Sequence, residues 1–322
     1  MKILVTPTSF NAEARSPARD KLDRFADEVI FNPFGRPLEA AEIIPLLDKV
    51  DGYIAGLDHI DRQVLEKAPG CLKVISRYGA GVDRVDIEAA TQRGITVTAT
   101  PGSNAEAVAD LTMGLMLAVA REIPFLDQGV KSGGWPRRTG FEIFQKNLGI
   151  IGLGEIGKKV AARAKGFSMK IRVYDPMADR RFIEQNGLIE ATLDELWRES
   201  DVITLHAPLV DDTREIINAA TIQRMKPGVI LLNTARYELI NEAALLKGLA
   251  DGTIKGLGLD VYADEPPTDH PLLKFSNVVL TPHAGSHTLE ARTRMADMAV
   301  SNLIDVLSGR PCSRVVNRID KV

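Results

Sequence analysis

The stretch NLGIIGLGEIG, residues 147–157, decides how the rest of the chain is read. An apolar run suited to a buried strand ends at Ile151, and Gly152, Gly154 and Gly157 follow in the spacing G-x-G-x-x-G. The segment EIGKKVAARAKGF (155–167) then has helical spacing. A second β-rich run, KIRVYDP (170–176), carries Asp175 about 20 residues beyond the first glycine. Each glycine has its own physical reason. The first makes a tight turn, the second lets backbone approach a pyrophosphate, and the third lets helix and strand pack closely. The helix N-terminus adds free N–H groups and the positive end of its dipole. Asp175 is placed to accept hydrogen bonds from the adenosine ribose hydroxyls and to repel a 2′-phosphate, so the pattern favours NAD over NADP.

Outward from this stretch, β-rich runs alternate with helical patterns from end to end. Upstream the strand candidates are KILVTP (2–7), EVIFNP (28–33), GYIAG (52–56), KVISRYG (73–79) and ITVTAT (95–100). Downstream they are DVITLHAP (201–208), VILLNTA (229–235), IKGLGLDV (254–261) and NVVLTPH (277–283). Such alternation predicts right-handed βαβ units and parallel sheets covered on both faces. TPGSN (100–104) interrupts the pattern ahead of a long helix over 105–121 and reads as a hinge. The closing helical pattern, 288–309, is expected to return to the first domain. The expected architecture is α/β, with two Rossmann-like or flavodoxin-like parallel-sheet domains. The dinucleotide-binding domain (101–287) is inserted into a substrate domain (1–100 and 288–322).

The gross numbers narrow the function classes. The 322 residues suffice for two domains, and 45% hydrophobic with 26% charged residues is the balance of a soluble globular protein. A net charge of −3 with both signs interspersed offers no footprint for nucleic acid or anionic membrane. Cys71 and Cys312 form no CxxC, which suits a reducing cytoplasm and suggests neither a disulfide framework nor a thiolate metal site. The apolar run LTMGLMLAVA (111–120) is too short to span a bilayer, and MKILVTPTSF reads as a first buried strand rather than a signal peptide.

Several motifs in order then carry a resemblance. LGIIGLGEIG, LHAPLVDDTREII, MKPGVILLNTAR, GLGLDVYADEPP and NVVLTPHAGSHT resemble the successive motifs of the D-2-hydroxyacid dehydrogenase family, and SRYGAGVDRVD and VVNR match it as well. The resemblance implies a catalytic arginine, glutamate and histidine, which fall on Arg236, Glu265 and His283. It implies cofactor contacts at Gly152, Gly154, Glu155, Ile156, Gly157, Asp175, His206, Ala207, Pro208, Thr213, Thr234, Ala235, Arg236, Asp260, His283 and Gly285. It implies substrate contacts at Arg77, Tyr78, Gly79, Ala80, Gly81 and Arg236, within an interdomain cleft. His206 is assigned a backbone-positioning role on the nicotinamide side. A homodimer through the cofactor domain is also implied, with helix 105–121 as a contact.

The chemistry wants these residue types. Reducing a 2-keto acid needs a hydride at carbon and a proton at the forming alkoxide. Histidine suits proton transfer near neutral pH, and a neighbouring carboxylate favours the charged ring and fixes its tautomer. Arginine presents a planar fork to a carboxylate, which lysine does not imitate. The small residues Gly79-Ala80-Gly81 permit main-chain N–H groups to approach an anion. Taken singly, each side chain has a plainer reading: Arg236 as a surface ion-pair partner, Glu265 as a solvated loop acid, His283 as a hydrogen-bonded loop histidine. Motif context reverses this for His283, but not for His59, His270 or His287. A metal site at His283 and His287 is not expected, because no HExxH helix and no third ligand accompany them.

The chain also departs from the family's pattern. Relatives usually have Gly after the arginine and Asp a few residues on, where this chain has Tyr237 and Asn241. If that glycine needs positive φ, Tyr237 is strained, or it narrows the cleft. His287 is expected to cap the helix beginning near Thr288 or to line the pocket. Asp58, in Leu57-Asp58-His59, stands where a phosphate-binding arginine would be expected, and its charge disfavours a phosphorylated substrate. The sequence ends shortly after VVNR, so no C-terminal amino-acid-sensing domain is expected. The expected activity is an NAD-dependent dehydrogenase of a small D-2-hydroxy acid and its 2-keto acid. A phosphoglycerate dehydrogenase without its regulatory domain is the runner-up, and an NAD-sensing module resembling C-terminal-binding corepressors is a more distant alternative. Formate dehydrogenase activity is disfavoured, because those relatives pair their histidine with glutamine.

Overall fold

The structure, a computed structural model, describes residues 1–13, 15–317 and 319. Its contacts divide into two units, Met1–Asn104 with His287–Val322, and Ala105–Ser286. The first border falls at the end of TPGSN and the second inside the PHAGSH run. Arg318, the last residue of the VVNR motif, lies outside the described residues.

The first unit runs β1 (Lys2–Val5), α1 (Pro17–Phe25), β2 (Glu28–Phe31), α2 (Ala40–Leu46), β3 (Gly52–Ala55), α3 (Arg62–Glu66), β4 (Val74–Arg77), α4 (Ile87–Gln92) and β5 (Thr96–Thr98). Its sheet is parallel with the order β2-β1-β3-β4-β5, a flavodoxin-like arrangement that reverses between β1 and β3. Its helices start where short polar side chains cap them: Ser16, Asp61 and Asp86 each accept a hydrogen bond from a backbone N–H in the first turn. The closing helix packs on this sheet, and a Cβ at Gly52 would lie only 3.0 Å from Leu307 and 3.1 Å from Leu303. Asn317 then fastens the chain end, its Oδ1 accepting from Val97 N at 2.7 Å and its Nδ2 donating to Ile95 O at 2.9 Å.

The second unit runs α5 (Ala105–Ala120), α6 (Ile123–Lys131), β6 (Asn147–Ile151), α7 (Glu155–Ala164), β7 (Lys170–Tyr174), α8 (Arg180–Gln185), β8 (Ile189–Glu190), α9 (Leu193–Glu199), β9 (Val202–Leu205), α10 (Ala219–Ile222), β10 (Val229–Asn233), α11 (Glu242–Asp251), β11 (Ile254–Leu259) and β12 (Val278–Leu280). α12 (Leu289–Leu307) follows in the first unit. The sheet order β12-β11-β10-β9-β6-β7-β8 is all parallel and reverses between β6 and β9, which puts the glycine stretch at the switch point where dinucleotides bind. The strands are buried runs of Val, Ile and Leu, as a sheet covered on both faces requires.

Two expectations need correcting here. The strands end earlier than their apolar patterns suggest: β10 stops at Asn233, β11 at Leu259 and β12 at Leu280. Beyond those points Asn233, Asp260 and Thr281 turn their side chains onto nearby backbone and side-chain groups, so the chain leaves the sheet. The second correction concerns Asp58. Its carboxylate is buried within the first unit, accepting from Leu38 N at 2.8 Å, Gly56 N at 3.0 Å, Tyr53 Oη at 3.1 Å and Thr6 Oγ1. It organises the turn after β3 and does not stand as a repelling charge in solvent.

Candidate active site

The glycine turn after β6 is explained atom by atom. Gly152 has φ +94°, and a Cβ there would lie 2.6 Å from Ala207 N. A Cβ at Gly157 would lie 2.1 Å from the Gly152 carbonyl oxygen, so α7 reaches the strand only because that side chain is absent. Gly154 is the N-cap of α7 with open space around its Cβ position and no side-chain cap. Glu155 begins the helix, while Ile156 turns its side chain onto the core. Asp175, just past β7, accepts from Leu153 N at 2.7 Å with Oδ2 and from Met177 N at 2.8 Å with Oδ1. The acid therefore sits against the glycine turn. Open backbone, a bare helix N-terminus and an acid at the neighbouring strand end fit the pyrophosphate and ribose of a dinucleotide.

Across the switch point, His206 follows β9, its Nε2 2.9 Å from Thr204 Oγ1. Its Nδ1 is buried without a hydrogen-bond partner among the described residues. Burial pushes the imidazole pKa down to about 3, so the ring is neutral at ordinary pH and is no proton donor there. Thr213 shapes the turn after Pro208, donating to Pro208 O at 2.6 Å and accepting from Val210 N at 2.9 Å. Thr234 is buried beside Thr112 of α5, with 3.1 Å between their hydroxyl oxygens. Asn233 holds the next turn, its Oδ1 accepting from Ala235 N at 3.0 Å and its Nδ2 donating to Arg236 O at 2.7 Å. Arg236 leaves this turn with extended backbone, and its Nη1 donates to Ala235 O at 2.6 Å.

His283 and Glu265 come together from different loops. Nδ1 of His283 lies 2.8 Å from Oε1 of Glu265, with the two side chains 28% and 18% exposed. The pair is sheltered yet open enough for a small molecule to reach the ring. Tyr262 N also donates to Glu265 Oε1 at 3.3 Å, and Tyr262 Oη donates to Thr281 O at 2.8 Å. His283 itself sits in the left-handed region, φ +49°, which an L-residue adopts only when its surroundings enforce it. Asp260 does the enforcing. Buried to 1% exposure, it accepts from Thr281 Oγ1 at 2.6 Å, Ala284 N at 2.7 Å and Gly285 N at 2.8 Å. Gly285 can approach because a Cβ there would lie 3.0 Å from that carboxylate. Asp260, expected as a cofactor contact, thus shapes the histidine turn.

In the first unit Arg77 is buried, its guanidinium donating to Ala55 O at 2.9 Å, to Gly56 O and to Gly81 O at 3.0 Å. It props the Gly79-Ala80-Gly81 loop from below. Tyr78 is buried, stacked on Phe10, and donates to Arg292 O at 3.0 Å.

Geometry bears on three further expectations. Tyr237 has no positive φ; it opens a 3-10 turn and is buried in the core of the second unit. The cap of α12 is Thr288, whose Oγ1 accepts from Ala291 N at 3.1 Å, and His287 is exposed one residue before it. α5 buries most of its apolar residues inside the second unit, and Ile123, Val130, Trp135 and Phe144 are exposed in the segment that follows it. Sequence reading missed the Tyr262, Thr281 and Asp260 network, because its bonds join residues 19 to 25 apart and leave no periodic signal. Among the described residues no group of three or more His, Cys, Asp or Glu is placed to hold a metal ion.

Comparison with known proteins finds a matching family and similar chains. Residues 113–285 match the family model described as D-isomer specific 2-hydroxyacid dehydrogenase, NAD binding domain. A glyoxylate reductase from Korarchaeum cryptofilum is 40% identical over 306 residues, covering 92% of this chain and 90% of its own. A D-3-phosphoglycerate dehydrogenase from Methanocaldococcus jannaschii is 45% identical over 261 residues, 80% of this chain but 50% of its own. Among solved structures, D-lactate dehydrogenase from Aquifex aeolicus complexed with NAD and lactic acid superposes with a TM-score of 0.84 at 29% identity, covering 95% of this chain and 96% of its own.

Proposed function

The chain belongs to the D-isomer specific 2-hydroxyacid dehydrogenase family, and on that premise we propose that His283, Glu265 and Arg236 act on a keto acid the size of glyoxylate. The protein is an NAD-dependent oxidoreductase that interconverts a 2-hydroxy acid and its 2-keto acid. A dihydronicotinamide dinucleotide, held at the turn of Gly152, Gly154 and Gly157 and by Asp175, would supply hydride chemistry there. The guanidinium of Arg236 holds the substrate carboxylate through paired N–H donors and polarises the adjacent carbonyl. His283 delivers the proton to the forming alkoxide from Nε2, because its Nδ1 faces Glu265 at 2.8 Å. That contact carries the reading: it fixes the ring's orientation and tautomer and leaves one nitrogen for substrate. In the reverse direction the same nitrogen takes the proton from the hydroxy acid.

The choice of a small acid is supported by relatives. Two glyoxylate reductases are 40% and 41% identical over 92% and 94% of this chain, whereas two phosphoglycerate dehydrogenases match over 80% of it. NADH oxidation measured against glyoxylate, pyruvate, hydroxypyruvate and phosphohydroxypyruvate tests this directly. The highest kcat/KM is expected with glyoxylate or hydroxypyruvate. Preference for phosphohydroxypyruvate would establish the phosphoglycerate reading instead, and no turnover with any of them would refute the enzymatic one. We also place the chain in a homodimer, through the exposed Ile123, Val130, Trp135 and Phe144, and in a reducing cytoplasm, which suits two free cysteines. Light scattering of a Trp135→Glu variant tests the dimer: it should be monomeric where the parent is not.

A further inference from the structure

Arg236 and Glu265 reach their places on separate loops, after the adjacent strands β10 and β11. Both loops need a tie beyond the sheet, since Glu265 lies well past the end of β11. Its upstream side is tied through Tyr262 and Asp260, as described above. On its downstream side Pro266 and Pro267, whose rings fix φ, lead to His270 and to a 3-10 turn at Pro271–Lys274 anchored by buried Leu272.

His270 does not stop at capping that turn. Leu272 N donates to its Nδ1 at 3.2 Å, which leaves the proton of the neutral ring on Nε2. Nε2 faces Tyr237 Oη at 3.2 Å and Glu242 Oε2 at 3.4 Å, while Tyr237 Oη donates to Glu242 Oε2 at 2.9 Å. The two rings meet edge to face, with centroids 5.9 Å apart. Tyr237 is the residue next to Arg236 in the chain. Its side chain is buried at 4% exposure, and burial beside Glu242 holds the phenol well above its ordinary range, so the hydroxyl remains a donor. Glu242 is the first residue of α11, where a carboxylate is favoured by the helix dipole, and at 43% exposure its charge stays hydrated. The acid is thus a stable acceptor, and the tyrosine joins three elements through one oxygen.

We propose that Tyr237 is a positioning residue for the reaction: its hydroxyl, held between Glu242 and His270, locks the Arg236 loop to the Glu265 loop and so sets the distance between guanidinium and imidazole. A glycine at this position could not make that tie. The inference rests on the catalytic reading of Arg236, Glu265 and His283. The carboxylate that meets the tie is Glu242, the first residue of α11.

Tyr237→Phe keeps the ring packing and removes the tie. With glyoxylate and NADH, kcat should fall about 5- to 20-fold with a smaller change in KM, as expected when a reacting group is misplaced by a fraction of an ångström. His270→Gln breaks the tie from its other end and should reproduce the loss of kcat, and the double variant should be no worse than either single one. Glu242→Gln, which still accepts from the tyrosine, should keep near-parental values. Parental kcat and KM in Tyr237→Phe and His270→Gln, at temperatures well below their melting points, would reduce the cluster to core packing and overturn the proposal. Should Tyr237→Phe not fold, His270→Gln decides alone. A parent whose turnover survives His283→Ala would instead remove the catalytic reading itself, so the two failures are distinguishable.

Discussion

The turn after β6 works by leaving side chains out, whereas the turn after β12 is held in place by side chains from elsewhere. At Gly152 and Gly157 the chain comes within 2.1–2.6 Å of where a Cβ would stand, and the surface presented is bare backbone. At His283 the backbone is pressed into the left-handed region by three hydrogen bonds to Asp260 and then fastened by Glu265. The contrast follows from what each turn has to do. A cradle for an anionic cofactor needs donors and space, which backbone supplies. A proton donor needs one ring at one angle, which only a surrounding network can enforce.

The largest effect expected from breaking this contrast is chemical. His283→Ala should lower turnover about 10²- to 10⁴-fold while leaving NADH affinity nearly unchanged, since general acid catalysis is lost and the glycine turn is untouched. Fluorescence titration of NADH beside steady-state kinetics separates the two quantities. Equal loss of both would take His283 out of the acid role. The converse change, Gly157→Ala, puts a methyl group 2.1 Å from the Gly152 carbonyl and forces α7 off the strand. Overpacking of this kind costs about 1–3 kcal/mol, so NADH affinity should fall about 10- to 100-fold with the histidine turn intact. Isothermal titration checks it, and parental affinity would contradict the role assigned to the third glycine.

A smaller loss should follow when the histidine turn is loosened without touching its chemistry. Asp260→Asn keeps size and shape but presents an amide N–H₂ toward groups that are themselves donors. One buried donor is left without an acceptor, at about 1–3 kcal/mol, and kcat should fall about tenfold. Because Asp260 shapes the turn through backbone, the loss should appear in kcat and leave NADH affinity nearly unchanged. A variant with the parental kcat would show that the ring is positioned by Glu265 alone.

The same contrast explains what could be read in advance. The glycine turn was legible because its information is local: three absent side chains and one acid at a fixed spacing, beside an apolar strand. The alternating strands and helices were legible for the same reason. Strand ends were not, because Asn233, Asp260 and Thr281 follow β-like runs and reveal only in three dimensions that their side chains turn the chain away. The two-residue edge strand β8 is shorter than any pattern. The buried hydrogen bonding of Asp58 was not legible, because nothing in Leu57-Asp58-His59 announces Thr6, Leu38 and Tyr53 as its donors. Tyr237 was the most instructive case: its identity was noticed at once, but its partners Glu242 and His270 belong to other elements.

The smallest expected effect concerns His206, which lies between the two kinds of turn, with a side chain built in at the edge of the glycine cradle. Its pKa stands at about 3 in the folded protein, because burial disfavours the charged ring. In the unfolded chain it is about 6.5. Between those values the unfolded state binds the extra proton, so the contribution of the neutral ring is fully present above pH 6.5 and is lost as pH falls toward 3. At pH 5.5 the loss is about 1.4 kcal/mol relative to pH 7.5, a tenfold change in the unfolding equilibrium. His206→Gln removes the titrating group, so the difference in urea unfolding free energy between parent and variant should shrink by that amount as pH is lowered. A difference independent of pH would mean that the ring takes up its proton without leaving its place, and that this part of the cradle is less closed than its burial implies.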